Sequence, residues 1–169
     1  MRLILPLHAY ALLLLVFSVV GCQSAPEKPV ASLPEGQVSQ QQVSSLMSHF
    51  AENYRAYSAS EQELVAAQQL QGKSLLILFG GWCHDSQREV PRLLKLLDEA
   101  QVSLAMLQLV AVNQQKQDPE GLSRVYQLRF TPTFILFDGE TELGRIVERP
   151  TLSLGEDLAH LVAMSLATK

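Results

Sequence analysis

The chain has 169 residues, 47% of them hydrophobic and 18% charged, which is the composition of a globular protein of about one domain plus a short extra segment. A disordered chain, a collagen-like repeat and a polytopic membrane protein are therefore excluded. With 13 Lys and Arg against 17 Asp and Glu the chain is mildly acidic, and it has no basic cluster, so we expect no nucleic-acid partner.

The first 21 residues have the architecture of an export signal. Arg2 supplies a positive charge, and an apolar stretch follows over residues 9–20. We therefore predict a signal peptide over residues 1–21. The apolar run is near the lower length limit for crossing a bilayer, so an uncleaved membrane anchor is the alternative.

The end of this stretch resembles the lipobox of bacterial lipoproteins, in the string Val19-Val20-Gly21-Cys22. The resemblance implies that the Cys22 sulfur carries a diacylglycerol, that the signal is removed and that lipid anchors the mature protein in a membrane. In Gram-negative lipoproteins an aspartate after the lipidated cysteine usually retains the protein in the inner membrane, whereas this chain has Gln23. The resemblance therefore implies the cell envelope, and in a Gram-negative organism the outer membrane, facing the periplasm.

Residues 22–42 are rich in Ser, Gln and Pro, which predicts a flexible tether between the anchor and a domain at 43–169. Two helices are predicted at the start of that domain. Ser60 with Glu63 has the form of a capping box at the start of the second helix, which runs to Gln71. The first helix is predicted from apolar residues that share one helical face: Val43, Leu46, Met47, Phe50, Tyr54 and Tyr57.

A strand–helix–strand unit surrounds the second cysteine of the chain. Residues 73–79 form a continuous apolar run, as expected for a strand buried on both faces, and residues 103–112 form another. The helix between them begins just after Cys83 and is interpreted as having Arg88 and Glu89 on its solvated face. Because such crossovers are right-handed, the helix N-terminus and Cys83 should lie at the carboxyl edge of the sheet, where these folds keep their sites.

The rest of the chain predicts one helix, a hairpin and a terminal helix. Asp118-Pro119-Glu120 indicates a helix start, with Val125 on the buried face of that helix. Residues 134–137 and 143–147 are predicted to pair as a hairpin. The terminal helix is capped at Ser153. The predicted order is βαβαββα, an α/β fold preceded by one or two N-terminal helices.

Over core residues 73–168 these features resemble the thioredoxin superfamily. The resemblance lies in Trp82-Cys83 at a strand-to-helix turn, Pro91 eight residues after the cysteine, and Thr131-Pro132-Thr133 before the hairpin. The string Trp82-Cys83-His84-Asp85-Ser86 is similar to a bacterial thioredoxin-like subgroup with the motif Trp-Cys-x-Asp-Ser. The resemblance implies a thioredoxin-like fold, Cys83 as nucleophile, a cis bond before Pro132 beside the sulfur, and Thr131 backbone groups that pair with an extended substrate.

Two departures from the family pattern limit the chemistry. A dithiol thioredoxin has a second cysteine at the position of Ser86, and the buried acid of the family corresponds to Ile77. If Cys22 carries lipid, Cys83 has no thiol partner within the chain. What remains is monothiol (CxxS) exchange with a sulfur of another molecule.

Opposing influences act on the pKa of Cys83, which decides its reactivity. The helix N-terminus, the hydroxyl of Ser86 and a protonated His84 favour the thiolate. Asp85 opposes them, because two negative charges about 5 Å apart repel by roughly 3 kcal/mol at an effective dielectric of about 20. Each of the two neighbours has a second interpretation, His84 as an exposed loop side chain and Asp85 as the helix N-cap.

The leading hypothesis is a membrane-anchored redox protein, expected to be a monomer. Cys83 would exchange disulfides with thiol- or disulfide-containing envelope proteins or with small thiols, and Thr131 and Pro132 would contact the substrate. Trp82 would also contact the substrate, or else it covers the core. The alternative is a catalytically silent thioredoxin fold that binds an envelope protein.

Metal binding and one-cysteine peroxidase activity are the weaker alternatives. Cys83 and His84 are two adjacent ligands, whereas zinc sites ordinarily need three or four. His49 and His160 lie in predicted helices, at surface or core positions. No residues that would stabilise a peroxide are recognised. Because the ligand set is too small for a metal site, we expect no metal, and we expect no cofactor.

Overall fold

The computed structural model describes residues 34–167 of the chain. The predicted signal peptide at residues 1–21, the predicted lipid attachment site Cys22 and the tether up to residue 33 lie outside the described residues. Within the described range, no helix combines the length and the apolar character needed to cross a membrane.

The described residues contain a five-stranded mixed sheet in the order β1-β3-β2-β4-β5. Its strands are β1 (Gly36–Val38), β2 (Ser74–Phe79), β3 (Met106–Ala111), β4 (Thr133–Asp138) and β5 (Thr141–Val147). β2 and β3 run parallel, and the other neighbouring strands pair antiparallel. The two strands predicted on either side of Cys83 are therefore adjacent and parallel, as expected.

Helices lie between and beside these strands. They are α1 (Gln40–Leu46), α2 (Ser48–Ala56), α3 (Glu61–Ala67), α4 (His84–Glu99), α5 (Leu122–Val125) and α6 (Leu154–Ala167). From β2 onwards the order is β2-α4-β3-α5-β4-β5-α6, so the predicted βαβαββα order of an α/β fold is confirmed.

β2 lies at the centre of the hydrophobic core. Its side chains from Leu75 to Phe79 are all buried, alternately in two clusters. The odd-numbered ones lie in the larger cluster with Phe50 and Leu93, and the even-numbered ones lie in the smaller cluster with Ile135. Each such side chain contributes about 1.5–3 kcal/mol when buried. The turn that carries Cys83 is therefore attached to the best-buried strand of the sheet.

The predicted N-terminal helices are present, but the first is divided. α1 and α2 are separated at Met47, where the backbone is extended (φ −122°, ψ 96°). Phe50 on α2 is buried, in agreement with the predicted apolar face. The capping box of Ser60 and Glu63 is present at the start of α3, which continues into a 3₁₀ turn at Gln68–Leu70.

The structure differs from the sequence prediction at the end of the predicted tether. Residues 36–42, assigned to the tether, form β1 and the first turn of α1. β1 pairs with β3, with Gly36 opposite Ala111, and Ser39 forms a capping box with Gln42 at the start of α1. The sequence pattern missed both features because β1 is only three residues long and the glutamine-rich cap has the composition of a linker.

α5 is shorter than predicted and begins later. Its N-cap is Gly121, whose backbone is left-handed (φ 76°). Asp118 still supports the helix start, because its carboxylate accepts hydrogen bonds from the first two amides of α5 at 2.9 and 2.7 Å. Val125, predicted to be buried, is 66% exposed. A helix of one turn presents only one side to the sheet, and Val125 lies on the other side.

A side chain of α2 compensates for the proline inside α4. In a regular helix the amide of residue 91 would donate to the Gln87 carbonyl, but Pro91 has no N–H. The side-chain amide of Asn53 donates to this carbonyl instead, at 2.9 Å. Gln87 in turn donates to the carbonyls of Cys83 and Gly81, at 2.9 and 2.8 Å. Gln87 therefore links α2 to the turn that carries the cysteine.

We expect Asn53→Ala to lower the free energy of unfolding by about 1–2 kcal/mol, because the partly buried Gln87 carbonyl loses a donor. Pro91→Ala restores an N–H at position 91, so Asn53→Ala should cost less in a Pro91→Ala background. Urea unfolding of the native chain, both single variants and the double variant measures the two costs. Equal costs in the two backgrounds would show that Asn53 does not act through the Gln87 carbonyl.

Candidate active site

Cys83 lies between the buried strand β2 and the long helix α4. It is the N-cap of α4, with an extended backbone (φ −87°, ψ 125°), and it is partly buried. In this position the unpaired amides and the partial positive charge of the helix start are directed toward the sulfur. Cys83 is unpaired and is the one cysteine between residues 34 and 167.

The sulfur contacts the segment that precedes β4. The Cys83 thiol donates a hydrogen bond to the Thr131 carbonyl at 3.1 Å, and the Thr131–Pro132 peptide bond is cis. Thr131 and Pro132 are both buried. The amide of Glu148, just after β5, donates to the Pro132 carbonyl at 2.8 Å. The structure thus brings together Cys83, Thr131 and Pro132, and it has the cis bond that the family resemblance implied.

Ser86 takes the place of the second cysteine of a dithiol thioredoxin. It is fully buried in the first turn of α4. Its hydroxyl oxygen accepts a hydrogen bond from the Gly80 amide at 3.2 Å, which leaves the hydroxyl proton available to the sulfur. Both the amide and the hydroxyl of Ser86 hydrogen-bond with Cys83 in the sense that favours the thiolate.

The pKa of Cys83 is set by opposing contacts. Burial is the largest influence and raises the pKa, whereas hydrogen bonding with the side chain of Thr131, with Ser86 and with the amide of Asp85 lowers it. The carbonyl of Thr131 bonds only to the protonated sulfur, so ionisation exchanges that bond for the donors at the start of α4. The net result is a thiol pKa below its ordinary value.

Trp82 is the single tryptophan of the chain, and its side chain is 43% exposed. The indole Nε1 donates to the Val112 carbonyl at 3.2 Å. A Cβ on Gly80 would come within 2.7 Å of the ring, so the indole packs directly on the turn. Trp82 is therefore held next to the cysteine with part of its ring exposed and part packed on the turn, and its contact with a substrate stays a prediction.

Asp85 is not the N-cap of α4, because Cys83 takes that position. Its carboxylate instead accepts hydrogen bonds from Arg88 Nη2 at 2.7 Å and from Arg149 Nε at 3.1 Å. Burial raises the pKa of Asp85, but the two arginines lower it below its usual value, so the carboxylate is ionised. The repulsion expected between Asp85 and the thiolate is thus opposed by two positive charges.

The expected solvated face of α4 is partly buried. Glu89 is 4% exposed, and its Oε1 lies 2.5 Å from Arg88 Nε and 3.5 Å from Arg92 Nη1. The neighbouring arginines supply the positive charge that compensates for burying the Glu89 carboxylate.

His84 is exposed, in agreement with the surface interpretation of this side chain.

The described residues contain no group of three His, Cys, Asp or Glu side chains that could hold a metal. His49 is exposed and lies 3.7 Å from Glu52, and His160 is exposed on α6.

Ile77, where the family has a buried acid, is completely buried in the larger core cluster. This position therefore offers no proton acceptor to the sulfur.

A mixed sheet of this order, with a cysteine at the start of a helix and a cis-proline against its sulfur, defines a thioredoxin-like α/β domain. The family model described as thioredoxin matches residues 36–154. The chain therefore belongs to the thioredoxin family. Membership of this family suggests a redox or thiol-related function.

Several solved structures are similar to this chain. A protein of unknown function from Pseudomonas aeruginosa is 19% identical over 71% of this chain and 81% of its own, with a TM-score of 0.47. Chlamydomonas reinhardtii thioredoxin f2 is 20% identical over 62% and 86%, with a TM-score of 0.38. Mitochondrial thioredoxin 3 of Saccharomyces cerevisiae is 17% identical over 68% and 95%, with a TM-score of 0.35. No curated protein sequence matches the chain.

Sequence analysis missed Arg149, which the fold brings to the site. Arg149 lies 64 residues after Asp85, just beyond the end of β5. No short motif connects the two residues. The one available signal is that Arg149 lies two residues beyond the predicted strand 143–147. That strand is predicted to pair with the strand that follows Pro132.

We expect Ser86→Ala to raise the pKa of Cys83, because the thiolate loses a hydrogen-bond donor. At any pH below that pKa the thiolate fraction falls, so alkylation of Cys83 near neutral pH should slow by about three- to tenfold. The rate of iodoacetamide alkylation as a function of pH measures the effect. Ser44→Ala, on an exposed position of α1, is the matched control. A native pH profile in Ser86→Ala would show that the hydroxyl does not act on the sulfur.

Proposed function

We propose that the chain is a monothiol thiol–disulfide exchange protein in which Cys83 is the nucleophile. Its membership of the thioredoxin family supports a redox or thiol-related function. The observation that carries the proposal is the setting of the sulfur, which lies at the start of α4 against the Thr131 carbonyl and has a lowered pKa. The thiolate is the form of cysteine that attacks disulfides.

Cys83 would perform the first half of a dithiol cycle. Its thiolate attacks one sulfur of a partner disulfide, so an S–S bond forms to Cys83 while the S–S bond of the partner breaks. The electron pair goes to the leaving sulfur, which departs as a thiolate and takes a proton from water.

The second half of the cycle needs a thiol from another molecule or from the partner, because Ser86 has no sulfur. That thiolate attacks the mixed disulfide and releases Cys83 as a thiolate. When that thiol is external, the new disulfide joins it to the partner sulfur, and a second equivalent of the external thiol attacks this disulfide in turn. Over the whole cycle one partner disulfide is reduced to two thiols, and two external thiols are oxidised to one disulfide. The reaction consumes no cofactor.

Exposed apolar side chains lie on the segments that carry the site and favour a protein substrate. Trp82 directly precedes the cysteine, Phe130 directly precedes Thr131, and Val147 on β5 lies opposite Thr133. An extended segment that pairs with the backbone at Thr131 would place its own sulfur beside Cys83. We expect the partners to be envelope proteins with an accessible cysteine or disulfide in an apolar segment, together with small thiols.

We expect the detergent-solubilised native chain to reduce the disulfides of insulin only when a small thiol such as glutathione is added. The rate should rise in proportion to the thiol concentration, because the external thiol resolves the mixed disulfide. Cys83→Ser should be inactive. Precipitation of reduced insulin gives the rate, and mass spectrometry without added thiol detects the Cys83–insulin adduct.

Ser86→Cys is the matched gain-of-function variant, because it places a second thiol at the resolving position. It should release the mixed disulfide without added thiol. Two results together would contradict the proposal: no exchange by the native chain, and partner binding that persists in Cys83→Ala. They would favour the catalytically silent binding module instead.

We also propose that lipid on Cys22 anchors this domain in the cell envelope, facing the periplasm in a Gram-negative organism. The support is the string Val19-Val20-Gly21-Cys22 at the end of an apolar stretch, followed by Gln23. An anchor at Cys22 would also leave Cys83 as the one free thiol, which agrees with monothiol exchange.

Mass spectrometry of the mature protein should find its N-terminus at Cys22 with acyl chains attached. Cys22→Ser should abolish processing by the lipoprotein route, and fractionation would follow the change. A protein whose Cys22 is unacylated and disulfide-bonded to Cys83 would contradict both the anchor and the monothiol cycle.

A further inference from the structure

Five charged side chains lie together beside the cysteine, and we name them the Asp85 cluster: Asp85, Arg88, Glu89, Arg92 and Arg149. All except Arg149 belong to α4, and Arg149 follows β5. Arg149 Nε lies 3.1 Å from Asp85 Oδ1, and Arg88 Nη2 lies 2.7 Å from the same oxygen. Two segments distant in sequence therefore bind a single carboxylate oxygen.

Arg149 decides the charge balance of this cluster. Arg88 is shared between two carboxylates, since its Nε also lies 2.5 Å from Glu89 Oε1. With Arg149 present, three positive charges face two negative ones. Without Arg149, the two charges of Arg88 and Arg92 would face the two carboxylates, and of its present partners Asp85 would keep only Arg88, which it shares with Glu89. The Asp85 carboxylate, of which 16% is exposed, would then depend on one shared arginine next to the nucleophile.

Asp85 influences the sulfur in two opposite ways. Its backbone amide hydrogen-bonds with Cys83 and favours the thiolate. Its carboxylate carries a negative charge two residues from the same sulfur, and a nearby negative charge in general disfavours a thiolate. A cation bound to the carboxylate removes the unfavourable influence and leaves the favourable one in place.

Other ionisable side chains lie on the segments around Cys83. They are His84 on α4, Lys116 and Asp118 after β3, Arg129 before Pro132, and Glu148 after β5. Within residues 34–167, the ion-pair partners of the Asp85 carboxylate are Arg88 and Arg149. Arg149 is 68% exposed, so its replacement changes the partner of Asp85 without opening the core.

We propose that Arg149 is a positioning residue of the Cys83 site, which neutralises the Asp85 carboxylate from the segment after β5 and so keeps the thiolate available for attack. The benefit of Arg149 to disulfide exchange rests on the function proposed above. The test of Arg149 does not rest on that function, because alkylation of Cys83 by a small reagent needs no disulfide partner.

The test is the pH profile of Cys83 alkylation by iodoacetamide in the full chain. Arg149→Gln should raise the pKa of Cys83 and slow alkylation near neutral pH by about two- to fivefold, the size of effect that a largely exposed ion pair supplies. Arg149→Lys keeps the charge and should recover most of the native rate. In an Asp85→Asn background Arg149→Gln should have no measurable effect, because the carboxylate on which it acts is gone.

Arg124→Gln is the matched control, because Arg124 is an exposed arginine of α5 and is not a partner of the Asp85 carboxylate. It should keep the native profile. The proposal is overturned by a native profile in Arg149→Gln, even with lowered thermal stability, or by an equal effect of Arg124→Gln. It is also overturned by an undiminished effect in the Asp85→Asn background, which would mean direct action on the sulfur. If the alkylation results are as expected but the native chain exchanges no disulfide, the proposed function fails and the role of Arg149 stands.

Discussion

The contact between the Cys83 sulfur and the Thr131 carbonyl is the point on which the site depends. It joins the start of α4 to the segment before β4, 48 residues further along the chain. The Thr131 carbonyl accepts a hydrogen bond from the thiol, whereas the Thr131 side chain, the Ser86 hydroxyl and the amides of Asp85 and Ser86 favour the thiolate. Ile77 provides no base at the position where the family has a buried acid. The reactivity of the cysteine therefore follows from where the fold places it, between a helix start and a buried cis-proline.

Much of the fold could be predicted from the sequence because its strongest signals are local. The apolar run that forms β2 has no polar interruption, and the capping box of Ser60 and Glu63 lies within one helical turn. The turn containing Trp82 and Cys83 and the Thr-Pro pair were also recognisable, so the sequence identified the residues that contact the sulfur. In each case the information is contained in a few consecutive residues.

The features that were missed depend on tertiary contacts or on backbone pairing. β1 is held by main-chain bonds to β3, which leave little trace in side-chain pattern, and the single turn of α5 begins at a left-handed glycine. Glu89 looks like a surface residue until the flanking arginines are placed around it. Arg149 and Asn53 reach the site from distant segments, and no periodicity in one sequence connects them to their partners. The contacts of the sulfur were therefore more predictable than the charges and helices that support them.

The position of Trp82 gives the protein an intrinsic optical probe. The chain has one tryptophan, it is adjacent to Cys83, and its ring rests on the turn with its Nε1 bonded to Val112. Indole emission depends on polarity and on nearby quenchers, and a thiolate or a disulfide sulfur is such a quencher. The natural fluorescence of the unlabelled protein should therefore report the oxidation state of its cysteine and the arrival of a partner.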